Sequence, residues 1–414
     1  MRGKGSAVGV LILMLGLVFL VKPVEAQKPV KVAMVNSTSG PAALYGVAGI
    51  EGAKIAVDEL NAVGGLLGRP IELIVKDDAA KPDIGAREMR SVITREEVAV
   101  VFGPVSSAVL LAMSEVAKEN KTILIAHTSN TERAFWERGH KYIFSVVPNT
   151  YIEGAAMGAY MAKKPYKRYY IIGPDYEFGH IQAAAFERKL KELKPDVEII
   201  GKIWPKLGEK DYTSYITAIL AAKPDAVYSN LWGSDLVAFT KQAKPYGFFE
   251  KFPFAALYDV DVLQALGKDA VEGVIGYERG PFHAIRKLAP SERFEAFFKK
   301  YRERTGGKYP SCWAVIAYDA VMAWAKAVKK ANSFETEAVV KALEGLELDS
   351  LRGKGIVIHP YHHQASVPEY IGVVKWDPKF KDFALWKDVT AIPGDKVWRS
   401  EAEIREIRKK AGVE

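Results

Sequence analysis

Short runs rich in Val and Ile, apolar on both faces, alternate with amphipathic helical stretches along most of this chain, and that alternation leaves few folds open. Residues 30–35, 71–76, 98–102 and 123–126 read as strands, with helical spacing at about 45–62, 83–95 and 106–119 between them. In the first helical stretch Gly49, Ala53, Ala56 and Leu60 recur at helical spacing, and Gly64-Gly65 stops it. Strands apolar on both faces belong in a parallel sheet between two helix layers. The spacing therefore predicts a doubly wound α/β lobe.

The pattern restarts after residues 142–148. Helix is expected at 150–163, 178–193, 212–222 and 234–245, with strands at 168–173, 198–204, 226–230, 252–256 and 274–277. This second set makes a second α/β lobe of similar plan and is expected to end with its last strand. Helices at 290–305, 313–331 and 334–346 follow, then a turn-and-strand connection at 353–360. No Pro/Ser linker separates the lobes, so boundaries near 148, 281 and 355 are expected to be short crossovers within one compact body that closes about hinges.

The start of the chain fixes its expected compartment. Arg2 and Lys4 precede an apolar run at 8–21, and Val24-Glu25-Ala26 follows as a small-residue cleavage site. This is the layout of a secretory signal peptide at 1–26, and the run is shorter than the ~20 residues a spanning anchor needs. Removing it leaves about 388 residues, too many for one core and enough for two lobes. The leader carries Arg2, Lys4 and Lys22 against Glu25, so the formal charge falls from +8 to +6. The remaining Lys and Arg are dispersed, which is no footprint for nucleic acid. Cys312 is the only cysteine. It excludes an internal disulfide and reads as a buried thiol, and no cysteine stands at the cleavage point to be acylated.

Catalytic and cofactor signatures are missing: there is no GxGxxG after a strand, no Walker loop, no HExxH and no GxSxG. No cofactor and no metal are expected. Gly46, Gly49 and Gly52 read as allowing close helix packing. His359, His362 and His363 around Pro360 read as a structural turn rather than a zinc site. Of Asp77-Asp78, one is expected to cap the next helix and the other to face water. More informative are the polar loops at strand carboxyl ends, where open α/β sheets bind ligands. Gly103-Pro104-Val105-Ser106-Ser107 opens a helix, and His127-Thr128-Ser129-Asn130 follows the next strand. In the second lobe Asp175-Tyr176-Glu177-Phe178-Gly179 and Asn230-Leu231-Trp232-Gly233 sit likewise. Together they describe a cleft with polar anchors on one lobe and aromatic walls on the other.

Residues 39–82, SGPAALYGVAGIEGAKIAVDELNAVGGLLGRPIELIVKDDAAKP, strongly resemble the leucine/isoleucine/valine-type binding proteins of ABC transporters, and the likeness continues through GPVSS, DYEFG, GKDAVEGV at 267–274 and AYDAV at 317–321. The resemblance implies the type I periplasmic binding protein fold, with two Rossmann-like lobes joined by three crossovers. One lobe would comprise 28–147 plus 281–354, the other 148–280 plus 355–414. It further implies a periplasmic, monomeric, non-enzymatic protein that closes on a small amino acid or related carboxylate and delivers it to an inner-membrane permease. A sensing receptor of the same fold is the alternative. By the same resemblance, Ser106 and Ser107 would hold a ligand carboxylate, while Thr128 and Asn130 would hold its ammonium group. An acid from the second lobe, Asp259 or else Asp261, would join them. By the resemblance, Tyr45, Phe178, Trp232 and Trp313 fall where the family places pocket aromatics. Departures from the family pattern are the missing cysteine pair, Asn130 for Thr or Ser, His127, Phe178 without a hydroxyl, and Trp232. They open the pocket to an aromatic acid, an amide or a short dicarboxylate.

Overall fold

The computed structural model describes residues 27–380 and 382–413 together with Gly3; the rest of the expected leader lies outside the described residues. The first sheet takes β1 (Val30–Asn36), β2 (Ile71–Asp77), β3 (Val101–Phe102), β4 (Leu124–Ala126) and β5 (Ile143–Ser145) in the order β2-β1-β3-β4-β5, all parallel. Its connecting helices are α1 (Ala43–Ala62), α2 (Pro82–Glu96) and α3 (Ser107–Asn120). β1, β3, β4 and β5 are almost wholly buried, as their continuous apolar runs require.

The chain then passes to a second sheet. α4 (Thr150–Ala162) leads to β6 (Arg168–Ile172), α5 (Glu177–Leu193), β7 (Glu198–Ile203), α6 (Thr213–Ala222), β8 (Ala226–Ser229), α7 (Gly233–Ala243), α8 (Phe248–Lys251), β9 (Phe254–Ala256), α9 (Val260–Leu266) and β10 (Ile275–Glu278). The parallel strands run β7-β6-β8-β9-β10, which is the winding of the first sheet repeated. After β10 come α10 (Phe282–Leu288), α11 (Glu292–Arg304), α12 (Cys312–Ala331) and α13 (Thr336–Leu343). α12 packs along α1, beside the first sheet. A third passage returns the chain to the second sheet as β11 (Glu369–Lys375) and β12 (Leu385–Ile392), and α14 (Glu401–Lys410) ends it.

The last strands correct the sequence reading, in which the second set ends at β10. β11 pairs antiparallel with β10 and β12 with β11, so β12 becomes the edge and β10 is interior. β12 alternates poorly and is largely exposed, which hides it from a search for apolar runs. β5 has only three residues, which read as a junction until β4 pairs with them.

Four local expectations are settled by packing. A Cβ on Gly46 would lie 1.7 Å from the Ser37 carbonyl oxygen, and one on Gly52 would lie 2.0 Å from that of Ala314. These glycines let α1 press onto the end of β1 and onto α12. The aspartate pair differs from expectation: neither residue caps α2, whose N-cap position is Lys81 and which opens on Pro82. Asp77 instead accepts from Thr38 N (2.8 Å), Ser39 Oγ (2.6 Å) and Ala79 N (2.9 Å), while the buried Asp78 accepts from Ser37 Oγ (2.5 Å) and Ala80 N (2.8 Å). Both tie down the loop that leads into α1. His359 and His362 stack at 4.1 Å and His363 stacks on Phe144 at 4.3 Å, so the histidine turn is a packing element. Cys312 is buried at the start of α12.

Gly52→Ala is expected to cost about 1–3 kcal/mol, because a methyl group in the α1–α12 contact forces the helices apart. Thermal unfolding of the mature protein checks this.

Candidate functional site

The carboxyl ends of β1, β3 and β4 face those of β6, β8, β9 and β10 across a small cavity. From the first sheet's side come Tyr45, Val105, Thr128 and Asn130, joined by Trp313 of α12; from the second come Tyr176, Phe178, Trp232, Leu257 and Arg279. Each follows a strand or starts a helix. Tyr45 is in the first turn of α1, Tyr176 and Trp232 are the N-cap residues of α5 and α7, and Arg279 directly follows β10. The shared winding order brings these loops to one place, at the point where each sheet's strand order reverses.

Rings form most of the wall. Tyr45 stacks on Trp313 at 4.3 Å and on Trp232 at 5.5 Å, while Tyr176 and Phe178 pair at 6.2 Å. The guanidinium of Arg279 lies 4.7 Å from the centre of the Trp313 ring. Its Nε donates to Glu153 and its Nη1 to the carbonyl of Thr128. The other oxygen of Glu153 accepts from Asn130 Nδ2 (2.8 Å) and Gln182 Nε2 (2.8 Å), so a fully buried carboxylate is saturated by three donors.

Several bonds hold the two sides together. The Tyr45 hydroxyl donates to Asp259 and accepts from Gly233 N at 2.8 Å. Thr131 Oγ1 donates to Glu177 at 2.9 Å, and Arg133 pairs with the same carboxylate at 2.7 Å. Behind Tyr45, the Glu278 carboxyl accepts from Val260 N (3.2 Å) and Cys312 N (3.1 Å). Burial pushes the carboxyls of Asp259, Asp261 and Glu278 above the usual range, Asp259 to about 6.

Of the residues singled out from sequence, Tyr45, Thr128, Asn130, Phe178, Trp232 and Trp313 line the cavity. Ser106 and Ser107 do not. They are buried at the start of α3, behind Val105, and the Ser106 side chain makes no capping bond. Asp259 does not line it either: it sits behind Tyr45, with one oxygen on the Tyr45 hydroxyl and the other on Val262 N (2.9 Å) as the cap of α9. Asp261 opens onto a separate depression beside Gln264 and Lys308. The sequence reading does not single out Arg279 and Leu257, and it names Val105 and Tyr176 only as members of cleft loops. The strand-end rule, applied to 274–277, points to Glu278-Arg279. Among the described residues, no group of three or more His, Cys, Asp or Glu is placed to hold a metal ion.

A carboxyl raised by burial binds its proton more tightly folded than unfolded. Its contribution to stability is therefore largest in acid and declines as pH rises from about 4 to about 6. Asp259→Asn is expected to flatten that decline, checked by melting temperature against pH for both proteins.

A family model described as periplasmic binding protein matches residues 29–381. The leucine-, isoleucine-, valine-, threonine- and alanine-binding protein of Pseudomonas aeruginosa is 24% identical over 329 residues, covering 79% of this chain and 85% of that protein. The crystal structure of a leucine-binding protein from Thermotoga maritima superimposes with a TM-score of 0.75 at 23% identity, covering 88% of this chain and 99% of its own. A solute-binding protein of an ABC transporter from Rhodopseudomonas palustris, solved with benzoate, superimposes with a TM-score of 0.77 at 21% identity, covering 90% of this chain and 98% of its own. These matched proteins are binding proteins, and at such identities the structural likeness carries the fold. No helix among the described residues is long and apolar enough to cross a membrane. With the family model matching residues 29–381, the chain belongs to the periplasmic binding protein family and has its type I fold.

Proposed function

We propose that this protein is an extracytoplasmic solute-binding protein which captures a small amino acid or related carboxylate or amide and delivers it, without altering it, to an ABC importer. The observation that carries this reading is a small cavity built in comparable share by two sheets and sealed by bonds that cross between them. The ligand-binding set is Tyr45, Thr128, Asn130, Phe178 and Trp232, with Trp313 and Arg279 completing the wall. Asp259 acts through Tyr45 by fixing its hydroxyl. The names of the relatives support the class: one binds aliphatic amino acids, and a structural neighbour was solved with benzoate.

In this reading the solute shifts an open–closed equilibrium, and the closed form engages an inner-membrane permease as a monomer. The seal at Tyr45 belongs to the closed form, since its partners Gly233 and Asp259 come from the second sheet's loops.

The test is small-angle scattering of ligand-stripped mature protein with amino acids, their amides, aromatic carboxylates and short dicarboxylates. At least one solute is expected to compact it and raise its stability by about 2.7 kcal/mol at a hundredfold excess over Kd. No compaction with any of them sinks the proposal. Tyr45→Phe strips a buried N–H and a buried carboxyl of their partner in the closed form, at about 1–3 kcal/mol. Calorimetric affinity is expected to fall about tenfold, with the open form more populated in scattering.

A further inference from the structure

The helices that begin at the cavity give it a definite polarity. α3, α5 and α7, each longer than ten residues, start at Val105-Ser106, Tyr176 and Trp232. None has a side-chain cap, and the Gly233 N–H of α7 goes to the Tyr45 hydroxyl rather than to an anion. By contrast α4 and α9 are capped by the side chains of Asn149 and Asp259. Uncapped N-termini carry partial positive charge, which favours an anion; the acids in the first turns of α5 and α7 are engaged elsewhere, Glu177 by Thr131 and Arg133 and Asp235 by Gly208 N (2.8 Å).

An independent feature points the same way. Arg279 is the only formally charged residue among those lining the cavity. Of its five N–H donors, one bonds Glu153 and one the Thr128 carbonyl, which leaves the others for a ligand in a fork matched to a carboxylate. An ammonium group has no such reception. The two acids bonded to lining residues are already engaged: Asp259 by Tyr45 and Val262, Glu153 by Arg279, Asn130 and Gln182. A desolvated cation without a free anion is costly.

Building on the solute-binding reading above, we infer that the ligand is an organic carboxylate without an ammonium group, its carboxylate on Arg279 and its aromatic body against Tyr45, Trp232 and Trp313. Arg279 is then the residue that sets specificity. Thr128 and Asn130 position it: the Thr128 carbonyl takes one of its N–H groups, and Asn130 shares the carboxylate that takes another.

Two matched pairs isolate the ammonium group: L-phenylalanine against 3-phenylpropanoate, and L-leucine against 4-methylpentanoate. Each is titrated calorimetrically into the ligand-stripped full mature protein. The deaminated acid of each pair is expected to bind at least about tenfold more tightly, with 3-phenylpropanoate the tighter of the two acids. Arg279→Gln is expected to weaken 3-phenylpropanoate by about 100-fold. Arg279→Lys, which keeps a cation beside Glu153 but loses the fork, is expected to weaken it by about tenfold. Melting temperature and near-ultraviolet circular dichroism establish that each variant is folded. Tighter binding of the amino acids, or wild-type affinity in folded Arg279→Gln, overturns the inference and leaves the solute-binding reading standing. When neither member of either pair binds, closure on an amino acid or an amide of the wider panel also overturns it, and closure on an ammonium-free aromatic carboxylate supports it. Absence of closure with every solute of the wider panel defeats both.

Discussion

The buried ion pair between Arg279 and Glu153 is the constraint on which the cavity depends. A charge removed from water must be matched, and stripping one partner from such a pair costs about 3–5 kcal/mol. Here the match draws in parts of the chain that are distant in sequence. Glu153 lies in the first turns of α4, Arg279 at the end of β10, Asn130 and Thr128 in the loop after β4, and Gln182 on α5. Satisfying one carboxylate thus fixes where the chain leaves the first sheet, where it leaves the second, and which way the guanidinium points. Trp313, under the guanidinium, adds α12 to the same knot.

Around this knot the fold does simple geometric work. Both sheets have the same parallel winding, so each reverses strand order at one point and opens its loops there. Facing the two points creates a cavity whose donors are backbone and side chain together. The glycines of α1 belong to the same design. Gly46 and Gly52 bring the helix hard against β1 and α12, and that contact sets the depth of Tyr45. From there its hydroxyl reaches Gly233 and Asp259 on the opposite side.

Much of this is legible in the residues. Strand ends and helix spacings give the α/β lobes closely, since a parallel strand buried on both faces writes itself as a run of Val and Ile. The aromatic wall and the pair Thr128 and Asn130 follow from the rule that ligands meet strand carboxyl ends. β12 does not follow, because an edge strand keeps mixed faces; β11 is buried between β10 and β12 and α14 opens on a Ser400–Glu403 capping box, signals that the sequence reading does not single out. Asp77 and Asp78 mislead for a related reason: they serve a loop contact back to Ser37, Thr38 and Ser39, about forty positions earlier, which helix-cap spacing does not reveal.

By itself the sequence determined the layers, the winding of each lobe and the loops that meet at the cleft, because those are local consequences of periodicity and turn chemistry. Tertiary structure alone decided the cavity's charge. It placed Asp259 behind Tyr45 rather than in front of it, set Ser106 and Ser107 behind Val105, and turned Arg279 inward against Glu153. The reason is physical: which polar group faces a ligand depends on which buried partners have already claimed it, and those partners come from across the fold.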